Sequence, residues 1–382
     1  MKKILIVAMA DSVHTARWLE QFEDSGDEFV LFPSSPHRRI HPKITRLLSD
    51  SSQMKISIPF GLRNTGLILA AIDKLVANRV RGIWLRQLIR GFNPTILHAL
   101  ETQGAGYITH VALTHISEKP FFILTEWGSD FFWFRRFPRH NNRLRQLLTQ
   151  VDLLSMECQR DALIARDLGY AGTIFPPYPY TGGYKVHTKI ETESIIATSE
   201  RKIILVKGHT RFVGRGLLAL DAIEPLVKPL SKFEIVLYSA DPSARRRARK
   251  LARKYGLSVT SYRRGALTHD SFLKIFRNTR IYIGISLSDA ASMSLLEAMV
   301  CGAFPIQTNT SCADEWIVNG KSGFIVSPDD HEGLVKAIRT ALENDDFVDE
   351  AAQINYEVAR NRLDRSVVSE ISRNFYNFVD SR

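Results

Sequence analysis

The order of apolar runs predicts an α/β protein of two doubly wound, Rossmann-like domains, each a parallel sheet with helices on both faces. Three observations lead there. Short continuous apolar runs alternate with helix-length stretches along the chain, the pattern of strands buried on both faces. The alternation breaks once, at Pro176 to Gly183, and resumes after a polar segment ending at Arg201. Proline- and glycine-rich breaks of this kind mark loops. Finally, 382 residues suit two domains at about 150 residues each.

In the first domain, residues 1–185, Lys3 to Met9 reads as a fully buried strand, Thr15 to Glu23 as a helix and Glu28 to Phe32 as the next strand. Thr95 to Ala99, Phe121 to Thr125 and Asp152 to Ser155 continue the strand series. The second domain, residues 186–382, opens with strand Ile203 to Lys207, helix Gly214 to Leu226 and strand Glu234 to Tyr238. A basic helix, Pro242 to Tyr255, a short strand at Ser258 to Ser261 and a helix from His269 to Phe276 follow. A strand at Ile281 to Ser286 then leads to an apolar helix and a strand from Ala303 to Gln307. The tail, Asp345 to Arg382, is helical in pattern and free to pack on either domain.

Composition narrows the function classes. Apolar residues make up 45% and charged residues 24%, a globular balance. No apolar run reaches the roughly 18 residues a membrane-spanning helix needs; Gly66 to Val76 is interrupted by Asp73 and Lys74. The basic start and short apolar run at Met1 to Ala8 read as a first strand rather than a signal peptide. Cys158, Cys301 and Cys312 form neither a disulfide framework nor a zinc pattern, so the cytoplasm is the expected compartment. The net charge of +11 gathers at His37 to Lys43, Arg79 to Arg90, Arg135 to Arg145 and Arg245 to Arg253. Such excess attracts phosphates, in a nucleotide-linked substrate, an anionic lipid or nucleic acid.

Two stretches in the second half carry chemistry. Ser288 to Pro305 (SDAASMSLLEAMVCGAFP) holds two acids, Asp289 and Glu297, in an otherwise apolar context. Asp289 lies just past a strand end, and Ser292 or Ser294 can cap the helix that follows. A helix start beyond a parallel strand offers N–H groups and partial positive charge to a phosphate. Glu297, about one turn in, has a carboxylate able to accept both hydroxyls of a ribose. The bland alternative is a loop acid and a solvated helix residue. The second stretch, Leu205 to Gly216 (LVKGHTRFVGRG), sets glycines beside Lys207, Arg211 and Arg215 ahead of a helix, which suits a pyrophosphate cradle; alternatively some of these cations are surface charges.

These residues resemble a known family. Asp289, seven residues, Glu297-Ala-Met-Val-Cys-Gly302, Pro305, Asn319-Gly320 and Gly323 to Val326 resemble the donor-site block of GT-B glycosyltransferases of family 4. The resemblance implies a GT-B fold, its two Rossmann-like domains facing across a cleft, the second holding a nucleoside-diphosphate sugar. It implies donor contacts from Lys207, Gly208, Arg211, Arg215, Asp289, Ser294, Leu295 and Glu297, with the diphosphate on the cations, the ribose on Glu297 and the sugar on Asp289. Two departures stand out: the first acid of the family is usually Glu, and its Gly-Phe-Gly turn is here Ala290 to Met293, without glycine, so the backbone should approach the sugar less closely.

The first domain resembles the family in Trp127-Gly-Ser-Asp130, where many members have His in place of Trp127. This implies that Trp127 and Asp130 face the acceptor, Asp130 holding or deprotonating a hydroxyl; the alternative is an N-cap. His14 and His98, in stretches that both follow strands and so should open onto the same cleft, are further acceptor or sugar candidates, beside Glu101 and Gln103, against the alternative of structural histidines or a helix cap. Phe131 to Arg145 interleaves aromatics with arginines, as at a membrane interface, or as a packed helix start with a basic face.

The implied reaction is glycosyl transfer to a hydroxyl with retention, from a nucleotide sugar to a glycan or lipid-linked acceptor, as in cell-envelope polysaccharide or lipopolysaccharide synthesis. Arg211, Arg215, Asp289 and Asp130 would carry the chemistry. No metal or cofactor is expected, since no Asp-x-Asp pair is suitably placed. The enzyme would work in the cytoplasm, peripheral on the inner membrane face, without nucleic acid, for which no module is present. A nucleotide-sugar epimerase and a non-catalytic GT-B scaffold remain the rival readings.

Overall fold

The computed structural model describes residues 1–34, 40–57, 72–73, 75–76, 78–180, 182–186 and 196–380. His37 to Arg39 of the first basic cluster, most of the apolar run from Gly66 and most of the polar connection before Arg201 lie outside them. The chain forms two compact units, Met1–Gly183 with Val368–Arg382, and Tyr184–Val367.

The first unit holds a seven-stranded sheet ordered β3-β2-β1-β4-β5-β6-β7, parallel throughout. Its strands are β1 (Lys3–Ala8), β2 (Glu28–Pro33), β3 (Met54–Ile56), β4 (Ile96–Leu100), β5 (Phe121–Thr125), β6 (Leu153–Ser155) and β7 (Thr173–Ile174). Alternate side chains of β1 enter opposite cores: Leu5 and Val7 pack with Leu97, Phe122 and Leu124, while Ile4 and Ile6 pack with Trp18, Ile96 and Ile123. That two-sided burial is why β1 reads as an unbroken apolar run.

Helices α1 (Val13–Glu20), α2 (Pro42–Asp50), α3 (Arg79–Phe92), α4 (Tyr107–Leu113), α5 (Pro138–Leu148) and α6 (Gln159–Asp167) connect the strands. The basic cluster from Arg79 to Arg90 is in fact α3, and part of its charge is internal. Buried Asp73 accepts from the amides of Val80 and Arg81 at 2.8 and 3.1 Å and pairs with the buried Arg81 guanidinium. This carboxylate satisfies the helix start that Asn78 leaves without a side-chain cap.

The second unit holds a six-stranded parallel sheet ordered β10-β9-β8-β11-β12-β13. Its strands are β8 (Ile203–Lys207), β9 (Glu234–Tyr238), β10 (Ser258–Ser261), β11 (Thr279–Gly284), β12 (Phe304–Thr308) and β13 (Phe324–Val326). Helices α7 (Gly216–Ile223), α8 (Pro242–Tyr255), α9 (His269–Arg277), α10 (Met293–Cys301), α11 (His331–Glu343) and α12 (Asp345–Leu363) cover it. The strand order reverses between β8 and β11, and the crevice beyond such a reversal is where open sheets bind ligands. The long helix expected from Gly214 starts two residues later and ends at Ile223, where a 3-10 turn carrying Pro225 takes over.

The helical tail breaks at Asp364, whose Oδ1 accepts from Ser366 N at 2.9 Å as α13 (Arg365–Asp380) begins. From Val368 onward that helix belongs to the first unit. Val368, Phe375 and Tyr376 enter the same core as Trp18 and Ile6.

Candidate active site

The second unit assembles most of the expected donor residues at the β8/β11 reversal. Lys207 ends β8, and its Nζ lies 3.3 Å from Asp289 Oδ2. Burial pulls its ammonium pKa down, but the Asp289 carboxylate, with Tyr282 contributing, outweighs that and leaves it raised. Lys207 therefore stays cationic, and two stretches 82 residues apart in sequence meet as one site.

The loop after Lys207 is tied down by its own backbone and by β11. Gly214 N donates to Arg211 O, Gly216 N to His209 O, Arg215 N to Ile285 O and Leu287 N to Val213 O, at 2.7–3.1 Å. A Cβ on Gly214 would lie 2.4 Å from the His209 carbonyl oxygen, and one on Gly208 would lie 2.8 Å from Ala240 Cα. These glycines are close-approach positions. Arg211 is exposed. Arg215 stands at the N-cap of α7 with its Nε 4.0 Å from exposed Asp329.

Helix α10 begins at this crevice. Ser292 occupies its N-cap but makes no side-chain capping bond, so the leading amides, those of Met293 and Ser294, remain for another acceptor. Leu295, expected at the donor, is corrected: its side chain is wholly buried in the core and its amide donates to Ser292 O at 2.9 Å. Glu297, one turn in, is 4% exposed, and its Oε1 meets His269 Nε2 at 3.0 Å. The glycine-free turn packs inward, with Ala290 and Ala291 buried.

The first-unit candidates fare unevenly. His14 and Trp127 come together, ring centroids 5.5 Å apart, both partly exposed. His98 is a correction. It sits within β4, fully buried, with Nδ1 2.8 Å from Tyr376 Oη and Nε2 2.6 Å from Thr125 Oγ1, stacked on Phe375. Burial lowers its pKa to about 3, so it is a neutral core residue and no sugar contact.

Asp130 is a second correction. Its Oδ2 accepts from the amides of Thr102 at 2.7 Å and Trp127 at 3.2 Å, fastening the loop after β4 to the loop after β5. Gln103 adds a bond to its carbonyl. Burial, with Glu101 adding, raises the Asp130 pKa to about 8. It is neither an exposed hydroxyl-binding group nor a helix cap. Glu101 is likewise spent on the amides of Gly104 and Ala105, with its own backbone at φ 82.

Sequence reasoning passed over several neighbours. His209 Nδ1 lies 3.1 Å from Asp241 Oδ2, which also accepts from Thr210 N at 2.8 Å, bracing the cationic loop. Arg264 is near enough to oppose protonation of Lys207. His269 reaches Glu297. Among the described residues buried Glu126 has no partner for Oε2, and burial with Asp161 and Asp130 nearby raises its pKa well above the ordinary value. None of these positions has a spacing signal; each is defined by a partner distant in sequence.

Comparison with known proteins gives the arrangement its context. The family described as "Glycosyl transferases group 1" matches residues 189–360, and "Glycosyl transferase 4-like" matches residues 3–158. The serotype-specific mannosyltransferase WbdA of Escherichia coli is 25% identical over 173 residues, 41% of this chain and 21% of that protein. The chain thus spans about a fifth of the curated relative it matches. Sucrose-phosphate synthase from Thermosynechococcus elongatus is similar over the full length of both chains, at 14% identity and TM-score 0.71. Anabaena HepE, solved with UDP, is similar over both full lengths at 13% identity and TM-score 0.69. The N-terminal domain of Candida albicans trehalose-6-phosphate phosphatase is similar over all of this chain and 97% of its own, at 13% identity and TM-score 0.73. With both halves matched by glycosyltransferase models and two parallel sheets of this order, the chain belongs to the GT-B glycosyltransferases of the family 4 type.

Proposed function

We propose that the protein is a retaining glycosyltransferase that moves a sugar from a nucleoside-diphosphate donor, bound by the second unit, to a hydroxyl of a glycan or lipid-linked acceptor in envelope polysaccharide synthesis. One observation carries it: the Lys207–Asp289 pair, the loop that bears Arg211 and Arg215 and is bonded to the segment after β11, and the uncapped start of α10 all lie where the sheet order reverses, with Glu297 a turn into that helix. The amides of Met293 and Ser294 and the cations Lys207, Arg211 and Arg215 would hold the diphosphate without a metal ion. Negative charge grows on that group as the glycosidic bond breaks. Fixed positive charge there lowers the barrier rather than merely tightening binding.

Glu297 would hold the ribose and Asp289 the sugar hydroxyls. Among the described residues, the buried hydroxyls of Ser286 and Ser288, in the segment that carries Asp289, have no hydrogen-bond partner. A polar ligand there would relieve that cost. Structures of HepE contain UDP, UDP-glucose, and UDP with glucose, in keeping with a nucleotide-sugar donor. With Asp130 spent on backbone amides, His14 and Trp127 become the acceptor-side residues of this reading.

The test is a panel of nucleotide sugars scored by thermal stabilisation and by release of free nucleoside diphosphate. A bound donor at a hundredfold excess over Kd should add about 3 kcal/mol of stability, and a transferase should leak nucleoside diphosphate. Binding without that release would favour the epimerase; no binding by any donor would favour the scaffold.

For location, we propose the cytoplasm and the inner membrane face, through the basic aromatic segment of the first unit. Among the described residues no helix is long and apolar enough to cross a membrane. Phe137 is exposed among exposed Arg136 and Arg139, while Arg136 lies over the Phe132 and Trp133 rings. Co-sedimentation with phosphatidylglycerol vesicles, absent with pure phosphatidylcholine, is the expected result.

A further inference from the structure

A carboxylate on a helix, about one turn from its start, can adopt several rotamers, and a ligand must order it on binding unless the protein has already done so. Glu297 is already ordered. Its side chain is 5% exposed and its Oε1 lies 3.0 Å from Nε2 of His269, whose own side chain is 38% exposed. With Glu297 accepting, Nε2–H is the donor.

His269 is itself held. It is the first residue of α9, whose N-cap Thr268 accepts through Oγ1 from Ser271 N at 3.2 Å. Its ring lies 6.4 Å from that of buried Tyr184. The carboxylate therefore sits inward, one turn into the helix whose start follows Asp289, and its partner at the surface of the same unit.

We propose that His269 is a positioning residue for nucleotide binding: its Nε2–H pins one oxygen of Glu297 so that the other is presented to the ribose diol of the donor. This rests on the reading of Glu297 as the ribose-holding residue. The competing role is a strut joining α9 to α10. Those helices already share an apolar contact through Phe272, Phe276, Leu295 and Met299, so a strut would be redundant there. A pre-set carboxylate, by contrast, reduces the ordering cost of ligand binding.

The two roles separate by ligand. Binding of UDP and GDP is measured by calorimetry, and the tighter nucleotide is compared with its 2′,3′-dideoxy counterpart. Wild type, His269→Ala, His269→Gln, Glu297→Ala and the double variant His269→Ala/Glu297→Ala are compared, each checked by thermal melting. For the ribonucleotide, His269→Ala should weaken binding about tenfold, the loss expected for a hydrogen bond to a charged group. The dideoxy nucleotide should lose less than about twofold. His269→Gln, which keeps a donor, should recover part of the ribonucleotide affinity, and the double variant should bind no worse than Glu297→Ala.

Equal losses for both nucleotides, or losses that add in the double variant, would overturn the positioning role. If Glu297→Ala itself leaves ribonucleotide affinity intact, the assignment of Glu297 to the ribose fails instead, and the two failures are told apart. His269→Gln keeps the test decisive even if His269→Ala folds poorly.

Discussion

Arg211 tests the electrostatic role of the loop. It is exposed, and among the described residues no ion pair engages it, so Arg211→Ala should leave thermal stability within about 0.5 kcal/mol. If the cation offsets charge on the leaving diphosphate, kcat and kcat/KM for donor turnover should fall together by roughly tenfold or more. Asp130 carries a pH signature. Its pKa rises from an ordinary value near 4 to about 8 in the folded protein. Between those values the native state binds the extra proton, so the stability this group contributes is complete below about pH 4 and is lost as pH rises through about 8. Asp130→Asn should flatten the fall of Tm between pH 5 and 8.5 while keeping an acceptor for the amides of Thr102 and Trp127. At this scale the sequence was legible where a residue's position beyond a strand matters: Lys207 and Asp289, drawn from two separate stretches, form one ion pair, and Glu297 lies on the helix that follows Asp289. It misled at His98. That residue lies inside the run Ile96–Leu100, whose strand is covered on both faces, so its imidazole had nowhere to go but the core.

The cationic loop shows how an element makes a site possible. A methyl group on Gly214 meets a backbone carbonyl rather than a yielding side chain, so Gly214→Ala must displace the loop or the His209 turn. We expect a cost of about 1–3 kcal/mol in chemical unfolding, with loss of nucleotide binding, whereas a substitution at exposed Ser231 should do neither. Strands buried on both faces were plain in the sequence because they are continuous apolar runs, and β1, β5, β8 and β9 lie within a residue of where those runs placed them. Helix α3 was not plain. Its arginines dominate the pattern, and the acid that satisfies its first turn, Asp73, precedes it by several residues. The short β3 and β7 carry too few residues to show any periodicity.

Over the whole molecule, the dependence of the first unit on α13 is the feature most open to test. Tyr376 Oη accepts from Trp18 Nε1 at 3.1 Å and pairs with His98 Nδ1 at 2.8 Å, all within the core of that unit. Tyr376→Phe would leave both nitrogens buried without a partner and should cost about 1–3 kcal/mol. Ending the chain after Val367 removes Val368, Phe375 and Tyr376 from that core at once. Limited proteolysis should then digest residues 1–183 first and leave Tyr184–Val367 as the resistant fragment. The helical character of the tail was readable from its pattern, but its destination was not, because an amphipathic helix shows that it has a buried face and not which sheet supplies the cover.

That crossing of the chain has a kinetic corollary. A ribosome finishes Met1–Gly183 long before it reaches Val368, yet the sheet of that first portion keeps one face incomplete until Phe375 and Tyr376 emerge. Nascent Tyr184–Val367 has every strand it needs by then, so the portion translated first should be the last to become protease-proof, leaving its Trp18 side briefly sticky and in want of a chaperone.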